Sequence, residues 1–267
     1  MTKKAVLIGI NYVGTSAELK GCVNDVTNIA GILMTTRGYL PANVRTLTDS
    51  QATKVGTIEA IRWLVSKNKP GDTLVFYYSG HGSTIVDKNG DETDKKDEVL
   101  VPADYSTQGF IDDDWLYKNL ADKVPAGVTL YGFTDCCHSG TMLDMRLCYD
   151  STAKLKTGTL KIGMPFVPSN WTDSYSFTMQ RNATLPGNVV LFSGCQDNQT
   201  SADAFINNTA QGAFTYCFIA FLKQNTRTKL LDLLKYLKCT LQINGFGSQV
   251  PRLSTGKLSD IDAFFNL

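Results

Sequence analysis

The sequence feature that most constrains this fold is a set of short, nearly continuous apolar runs. Residues 4–10 form one run, and residues 73–78 form another. A strand buried on both faces has this composition, whereas a strand with one wet face alternates polar and apolar residues. Further strands are predicted at residues 128–133 and 188–192, and a short one at residues 44–47.

Amphipathic stretches with helical spacing separate these runs. They predict helices at residues 24–37, 57–67, 113–120, 213–222 and 229–241. Alternation of buried strands with helices indicates an α/β fold, with helices on both faces of a mostly parallel sheet. Ligands of such sheets bind at the carboxyl ends of the strands. Residues 82–109 and 145–186 lack either periodicity and are predicted to be irregular.

Composition excludes several classes of protein. The chain has 267 residues, 43% hydrophobic, which suits one globular domain, and its net charge of +1 offers no general attraction to nucleic acid or anionic membranes. No apolar run has the length of a membrane span, and no signal-peptide cleavage site follows the first apolar run. Seven irregularly spaced cysteines favour a reducing compartment, so we expect a cytoplasmic protein.

Two loops that leave predicted strands carry reactive side chains. His81 lies between two glycines after one strand, and Cys137 follows another. A cysteine nucleophile acts as its thiolate and needs a base, so these residues predict a Cys–His pair if the strands are neighbours. The N–H groups of Gly82 and Cys137 are candidate oxyanion donors. The alternatives are an inert cysteine with a surface histidine, or His138 as the base, although its side chain is expected to point away from Cys137.

Carboxylates accompany these loops. Asp135 lies two residues before Cys137 and is expected on the same side of the segment, where it would suit a cationic substrate group. Asp25 could join it at the end of the first strand, or could instead cap a helix.

A second acidic group comprises Asp97, Asp112, Asp113, Asp114 and Asp144. Clustered carboxylates suit a hard cation such as calcium. The residues alone favour a solvated acidic loop. No glycine-rich phosphate loop is present, and we expect no organic cofactor.

Motifs along the whole chain resemble those of metacaspases. They include Tyr-Ser-Gly-His-Gly at residues 78–82, Asp-Cys-Cys-His-Ser-Gly at residues 135–140, and the segments at residues 5–12, 18–26, 193–203 and 249–254. The short spacer after the cysteine motif resembles type I members, although their Pro- and Gln-rich N-terminal extension is missing here.

The resemblance implies a caspase-like three-layer αβα sandwich in a single domain. Residues 1–144 would form a region like the large caspase subunit, residues 145–187 an irregular linker, and residues 188–267 a region like the small subunit.

The resemblance also implies a cysteine endopeptidase that cleaves after Arg or Lys, with peptide or protein substrates and a monomeric state. Its nucleophile would be Cys137 and its base His81. The pocket for the P1 side chain would comprise Cys22, Asp25, Ser79 and Asp135, and calcium ligands would be Asp97, Asp112, Asp113 and Asp144. Candidate self-cleavage points in the irregular region are Lys154, Lys156 and Lys161.

Two alternative functions stay open at this stage. One is a non-catalytic caspase-like scaffold that binds partners. The other is a related peptidase, such as a paracaspase or a legumain-like enzyme, which a measured P1 preference would separate.

Overall fold

A computed structural model gives the fold. It describes residues 1–86, 96–136, 142–143, 145, 147–151, 154–155, 171–172, 175–179, 184–195, 203–206, 209–224, 227–257 and 263–267.

Within these residues the chain forms six α-helices and seventeen strands. The helices are α1 (Cys22–Thr36), α2 (Lys54–Val65), α3 (Tyr105–Gln108), α4 (Asp113–Leu116), α5 (Ala213–Gln224) and α6 (Leu230–Ile243). The strands are β1 (Lys3–Gly9), β2 (Val44–Thr48), β3 (Thr73–Ser79), β4 (Gly82–Val86), β5 (Lys96–Leu100), β6 (Ile111–Asp112), β7 (Thr129–Asp135), β8 (Leu147–Ser151), β9 (Lys154–Leu155), β10 (Trp171–Thr172), β11 (Tyr175–Met179), β12 (Asn188–Ser193), β13 (Asp203–Ile206), β14 (Thr209–Gly212), β15 (Thr228–Lys229), β16 (Arg252–Thr255) and β17 (Phe264–Phe265).

Eight strands form the central sheet, in the order β11-β8-β16-β12-β7-β3-β1-β2. The five strands from β12 to β2 run parallel to one another. The strands β16, β8 and β11 are antiparallel to their neighbours. The predicted mostly parallel α/β sheet is confirmed, and its parallel half comprises the five strands that were predicted from the sequence.

Helices cover both faces of this sheet, which confirms the three-layer arrangement. One core contains Leu7 of β1 and packs against α1, α5 and α6. The other contains the neighbouring residue Val6 and packs against α2 and α4. Successive side chains of a strand point to opposite faces, and the central residues of β1 and β3 are therefore apolar at consecutive positions.

The start of α1 lies directly against the end of β1. A Cβ atom on Gly9 would overlap the carbonyl oxygen of Cys22 and lie 2.7 Å from the side chain of Val26. Only glycine at position 9 permits this approach. Helix α1 is thereby fixed at the carboxyl edge of the sheet, and its first turn brings Asp25 to that edge.

The structure differs from the sequence-based expectation in the two regions predicted to be irregular. Residues 82–109 contain β4, β5 and α3, and residues 145–186 contain β8, β9, β10 and β11. Strands β8 and β11 extend the central sheet beyond β16. Strand β5 was not predicted because it contains Asp97 and Glu98, and carboxylates are depleted in typical strands.

The predicted helix at residues 113–120 is also modified. Helix α4 ends at Leu116 and continues as a π-helical turn, Tyr117–Ala121.

Candidate active site

His81 lies just beyond the carboxyl end of β3. Its Nε2 atom is 2.7 Å from the carbonyl oxygen of Ala17. A carbonyl only accepts hydrogen bonds, so Nε2 carries the proton and Nδ1 is the basic nitrogen of the neutral ring. The backbone partner therefore orients the imidazole and leaves Nδ1 as the nitrogen that can accept a proton.

Two tyrosines hold the backbone of His81. The Tyr12 hydroxyl accepts from the His81 N–H at 3.0 Å and donates to the Val101 carbonyl at 2.6 Å. The Tyr78 hydroxyl donates to the His81 carbonyl at 2.8 Å. The Tyr12 ring packs on the imidazole, with 4.7 Å between ring centroids. Sequence reasoning missed both tyrosines, since nothing in a buried apolar run indicates where its hydroxyl groups point.

The strands that lead to His81 and Cys137 are neighbours. β3 and β7 are parallel, with Ser79 opposite Asp135, and the Gly80 N–H is 3.5 Å from the Asp135 carbonyl oxygen. His81 follows Ser79 by two residues, and Cys137 follows Asp135 by two residues. Both segments thus leave the same edge of the sheet. Cys137 and its rival partner His138 lie outside the described residues.

The residue before the predicted nucleophile has a different character. Cys136 is completely buried in the core that also contains α2. Its carbonyl oxygen accepts from the Cys195 thiol at 3.1 Å. The interpretation of Cys136 as a core thiol is confirmed. In the described part of the chain, six cysteines form no disulfide: Cys22, Cys136, Cys148, Cys195, Cys217 and Cys239.

Asp25 is fully buried at this edge. It accepts from the Ser79 hydroxyl at 2.9 Å and from the Gly212 N–H, which is 3.1 and 3.0 Å from its two oxygens. The helix-cap alternative is wrong, because Gly21 is the N-cap of α1 and Asp25 lies one turn inside. Cys22 begins α1 and is buried.

Asp135 is only 4% exposed and is held by the first turn of α5. Its Oδ2 atom accepts from the Thr215 N–H at 2.9 Å and from the Thr215 hydroxyl at 2.7 Å. The N-terminus of a helix carries unsatisfied N–H groups and a partial positive charge. Helix α5 therefore stabilises the ionised form of this carboxylate.

Gly212 connects the two carboxylates. A Cβ atom there would overlap Oδ2 of Asp135 and lie 2.9 Å from Oδ2 of Asp25. Both carboxylates thus lie against the same backbone atom. Sequence reasoning missed Gly212 and Thr215, because their contacts join residues 187 and 80 positions apart. The sequence signal that could have flagged them is the start of the predicted helix at residue 213.

The two buried carboxylates act on neighbouring groups. Burial, followed by the charges of Asp25 and Asp135, raises the pKa of Tyr77 far above its ordinary value. Burial and the charge of Asp135 likewise raise the pKa of the Cys217 thiol. The surroundings of the carboxylates therefore disfavour further negative charge and favour a cation.

The acidic residues predicted to bind calcium are partly gathered around β5. Asp112 is the N-cap of α4 and accepts from the Trp115 N–H at 2.9 Å. Asp113 accepts from the Glu98 N–H at 3.2 Å. Burial and the charge of Glu98 raise the pKa of Asp113 to about 8. The solvated-loop alternative does not describe Asp97, Glu98 or Asp113, since all three are 3% exposed.

No metal-binding group of three or more His, Cys, Asp or Glu side chains exists among the residues that the structure describes. Asp144 lies outside them. Glu98, which the sequence did not single out, is the additional buried carboxylate of this region.

The candidate self-cleavage points are less defined. Lys154 lies in β9, opposite Thr172 of β10. Lys156 and Lys161 lie outside the described residues. Over the ranges described above, no helix combines the length and apolar character of a membrane span.

Comparison with known proteins places this chain in a family. The model of the metacaspase peptidase C14 domain matches residues 3–146. The chain is 36% identical to Metacaspase-1 of Eremothecium gossypii, covering 99% of this chain and 66% of that protein. It is 37% identical to Metacaspase-1 of Meyerozyma guilliermondii, covering 98% and 72%. The chain thus spans about two thirds of the length of these relatives.

Solved structures share the fold. A crystal structure of a Geobacter sulfurreducens protein has a TM-score of 0.66 at 24% identity, covering 98% of this chain and 97% of that one. The structure of pro-sf-caspase-1 has a TM-score of 0.54 at 15% identity, covering 95% and 86%. These likenesses confirm the caspase-like fold, and the family match and the two relatives show that this chain belongs to the metacaspase family.

Proposed function

We propose that this chain is a cysteine endopeptidase that cleaves peptide bonds after arginine or lysine. The observation that carries the proposal is the pair of buried carboxylates, Asp25 and Asp135, against Gly212. They lie at the sheet edge where β3 leads to His81 and β7 leads to Cys137. Family membership supports the peptidase chemistry, and the two carboxylates support a basic P1 side chain.

The catalytic pair would be Cys137 and His81. His81 Nδ1 takes the proton of the Cys137 thiol, and the thiolate attacks the scissile carbonyl carbon. The resulting imidazolium returns a proton to the leaving amine as the C–N bond breaks. Water then attacks the thioester, with His81 again acting as base, and releases the acid product and the thiol.

Two further groups would assist these steps. The Ala17 carbonyl, 2.7 Å from Nε2, stabilises the imidazolium when it forms. The N–H groups of Gly82 and Cys137 are the proposed donors to the oxyanion of the tetrahedral intermediate.

Selectivity for a basic P1 residue would follow from charge and geometry. A guanidinium presents five N–H donors and pairs with carboxylates in bidentate fashion, whereas an ammonium binds as a point charge. Charge pairs in a buried site are strong because little solvent screens them. Ser79 would support this pocket through its hydrogen bond to Asp25, and Cys22 would line it.

Calcium stimulation is the second part of the proposal. The donor chemistry of Asp97, Asp112 and Asp113 fits a hard cation, since all supply oxygen. The raised pKa of Asp113 reflects burial and repulsion by Glu98, which a bound cation would relieve. We expect Asp144 to complete the ligand set.

The strands around β5 would connect that region with His81. β4 begins directly after His81, and β5 leads back to Val101. The Val101 N–H is 3.3 Å from the His81 carbonyl oxygen. A cation bound at the start of β5 could therefore favour one arrangement of the segment that holds His81, provided that it binds this arrangement more tightly.

The proposed oligomeric state is a monomer. β16 is paired on both sides, by β12 and β8. A second copy of the chain therefore cannot extend the sheet by pairing with β16.

A fluorogenic peptide with arginine at P1 tests the function. We expect hydrolysis by the wild-type chain, faster with calcium, and none by Cys137→Ala. A matched peptide with asparagine at P1 should resist cleavage. Preference for asparagine would indicate a legumain-like enzyme, and a folded chain without activity on any peptide would indicate a non-catalytic scaffold.

A further inference from the structure

Thr215 is a buried residue that the proposed reaction does not use. It lies in the first turn of α5, and none of its surface is exposed. Both of its donors, the N–H at 2.9 Å and the hydroxyl at 2.7 Å, point to the same oxygen of Asp135. Its side chain thus serves the carboxylate rather than solvent.

The direction of the neighbouring hydrogen bond follows from this contact. The Tyr77 hydroxyl lies 2.6 Å from the Thr215 hydroxyl oxygen. Because a carboxylate only accepts, the Thr215 proton belongs to Asp135, and Tyr77 must donate to Thr215. The raised pKa of Tyr77 keeps its phenol protonated over the neutral range. The result is a chain of donors from Tyr77 through Thr215 to Asp135.

Such a chain has two effects on a carboxylate. Hydrogen bonds to the charged form stabilise it against protonation, which burial and the nearby Asp25 otherwise favour. Two donors from one residue also fix the plane of the carboxyl group. Since one hydroxyl donating to another polarises it, the Tyr77 contact strengthens the Thr215 donation.

We propose that Thr215, supported by Tyr77, is a positioning residue that sets the strength of basic P1 recognition by keeping Asp135 ionised and oriented. This inference rests on the proposed function, and it assigns a role to a residue that the proposed reaction steps do not use. Serine should substitute for threonine, because the hydroxyl is the active group, whereas valine should not.

The pH profile is an informative readout because Asp135 has few titratable neighbours with a described position. They are Asp25 from α1, Tyr77 from β3 and Cys217 from α5, and Cys22 of α1 interacts with Tyr77. Loss of a donor to the charged form makes protonation of Asp135 easier. The acid limb of kcat/KM for a P1-arginine peptide should then move to higher pH.

The test compares Thr215→Val with Thr215→Ser and with Thr57→Val. Thr57 is a buried threonine of α2, on the opposite face of the sheet, and controls for the hydroxyl-to-methyl change. For Thr215→Val we expect kcat/KM on the P1-arginine peptide to fall about tenfold, mainly through KM. The acid limb should shift upward, and Thr215→Ser and Thr57→Val should stay near wild type.

A second readout does not use the pocket. Alkylation of Cys137 by iodoacetamide reports on the nucleophile and should proceed at the wild-type rate in Thr215→Val. An unchanged KM and acid limb in folded Thr215→Val would overturn the inference while leaving the proposed function intact. A wild-type chain that cleaves neither arginine nor lysine peptides would overturn both.

Tyr77→Phe keeps the inference falsifiable if Thr215→Val does not fold. It removes the donor to Thr215 but retains the ring. A smaller rise in KM, about threefold, with an upward shift of the acid limb is expected. Wild-type values in Tyr77→Phe would then contradict the role of the donor chain.

Discussion

The two halves of the candidate site are held in different ways. His81 is partly exposed, and its partners are a backbone carbonyl and two tyrosine hydroxyls, all neutral. Asp25 and Asp135 are buried and depend on N–H and O–H donors at the start of α5. Loss of a neutral hydrogen-bond partner at a partly exposed position costs little free energy. Removal of a partner from a buried charge costs several kcal/mol. The comparison predicts that the carboxylate half tolerates substitution less well than the histidine half.

The largest effect is expected from Asp135→Asn. The asparagine carbonyl can still accept from Thr215, so the fold should survive, but one buried negative charge is lost. We expect kcat/KM on arginine and lysine peptides to fall by about a hundredfold or more. The matched control is Asp72→Asn. Asp72 directly precedes β3, at the edge of the sheet opposite the candidate site, and its buried carboxylate accepts from the Lys69 N–H at 2.9 Å. That variant should lose stability but retain kcat/KM, and equal losses in both variants would remove the distinction.

Gly212→Ala should act on the fold of the same half. Its new Cβ would overlap Asp135, and relief of the overlap should destabilise the chain by about 1–3 kcal/mol. Thermal unfolding checks this, with a lower Tm as the expected outcome. Gly31→Ala in α1 is the control, because no atom lies within 4 Å of its Cβ position and its Tm should be unchanged or higher. A Gly212→Ala variant with wild-type Tm and activity would contradict the close approach.

Tyr12→Phe probes the histidine half and should have a smaller effect. The ring still packs on the imidazole, while the acceptor for the His81 N–H is lost. We expect kcat to fall about fivefold with little change in KM. Tyr105→Phe is the matched control, since the Tyr105 ring also contacts Tyr12 at 6.4 Å between centroids. A fall in kcat/KM as great as that of Asp135→Asn would contradict the proposed ranking of the two halves.

The smallest effect concerns calcium and stability. A ligand present at a concentration equal to its Kd stabilises the folded chain by about 0.4 kcal/mol. We expect calcium, but not magnesium, to raise the Tm of the wild type and not that of Asp113→Asn. Asp122→Asn, an exposed carboxylate 3.5 Å from Lys123, should respond as the wild type does. An equal calcium response in all three chains would exclude Asp113 as a ligand.

The inner strands of the parallel half could be predicted from sequence because they are buried on both faces. The apolar runs at residues 4–10 and 73–78 correspond to β1 and β3. The pairing of β8 with β16 was not predicted, because both strands are short and their paired residues lie about a hundred positions apart in the chain. Pairing over such separations depends on the whole fold rather than on local pattern.

The site shows the same division. His81, Asp25 and Asp135 could be proposed because each follows a recognisable strand or opens a helix. Thr215 and Gly212 could not, since their significance arises only when α5 meets α1 and β7. Tyr12 and Tyr78 were concealed by their apolar surroundings.

The interleaved order of the sheet has a consequence for limited proteolysis. A cut between β8 and β11 would leave β8 on the first fragment, where it pairs with β16 of the second. β7 of the first fragment likewise pairs with β12 of the second. The two fragments would then separate on a denaturing gel but co-elute in size-exclusion chromatography. Nicking at the lysines of this segment would therefore change the covalent chain without dissociating the particle.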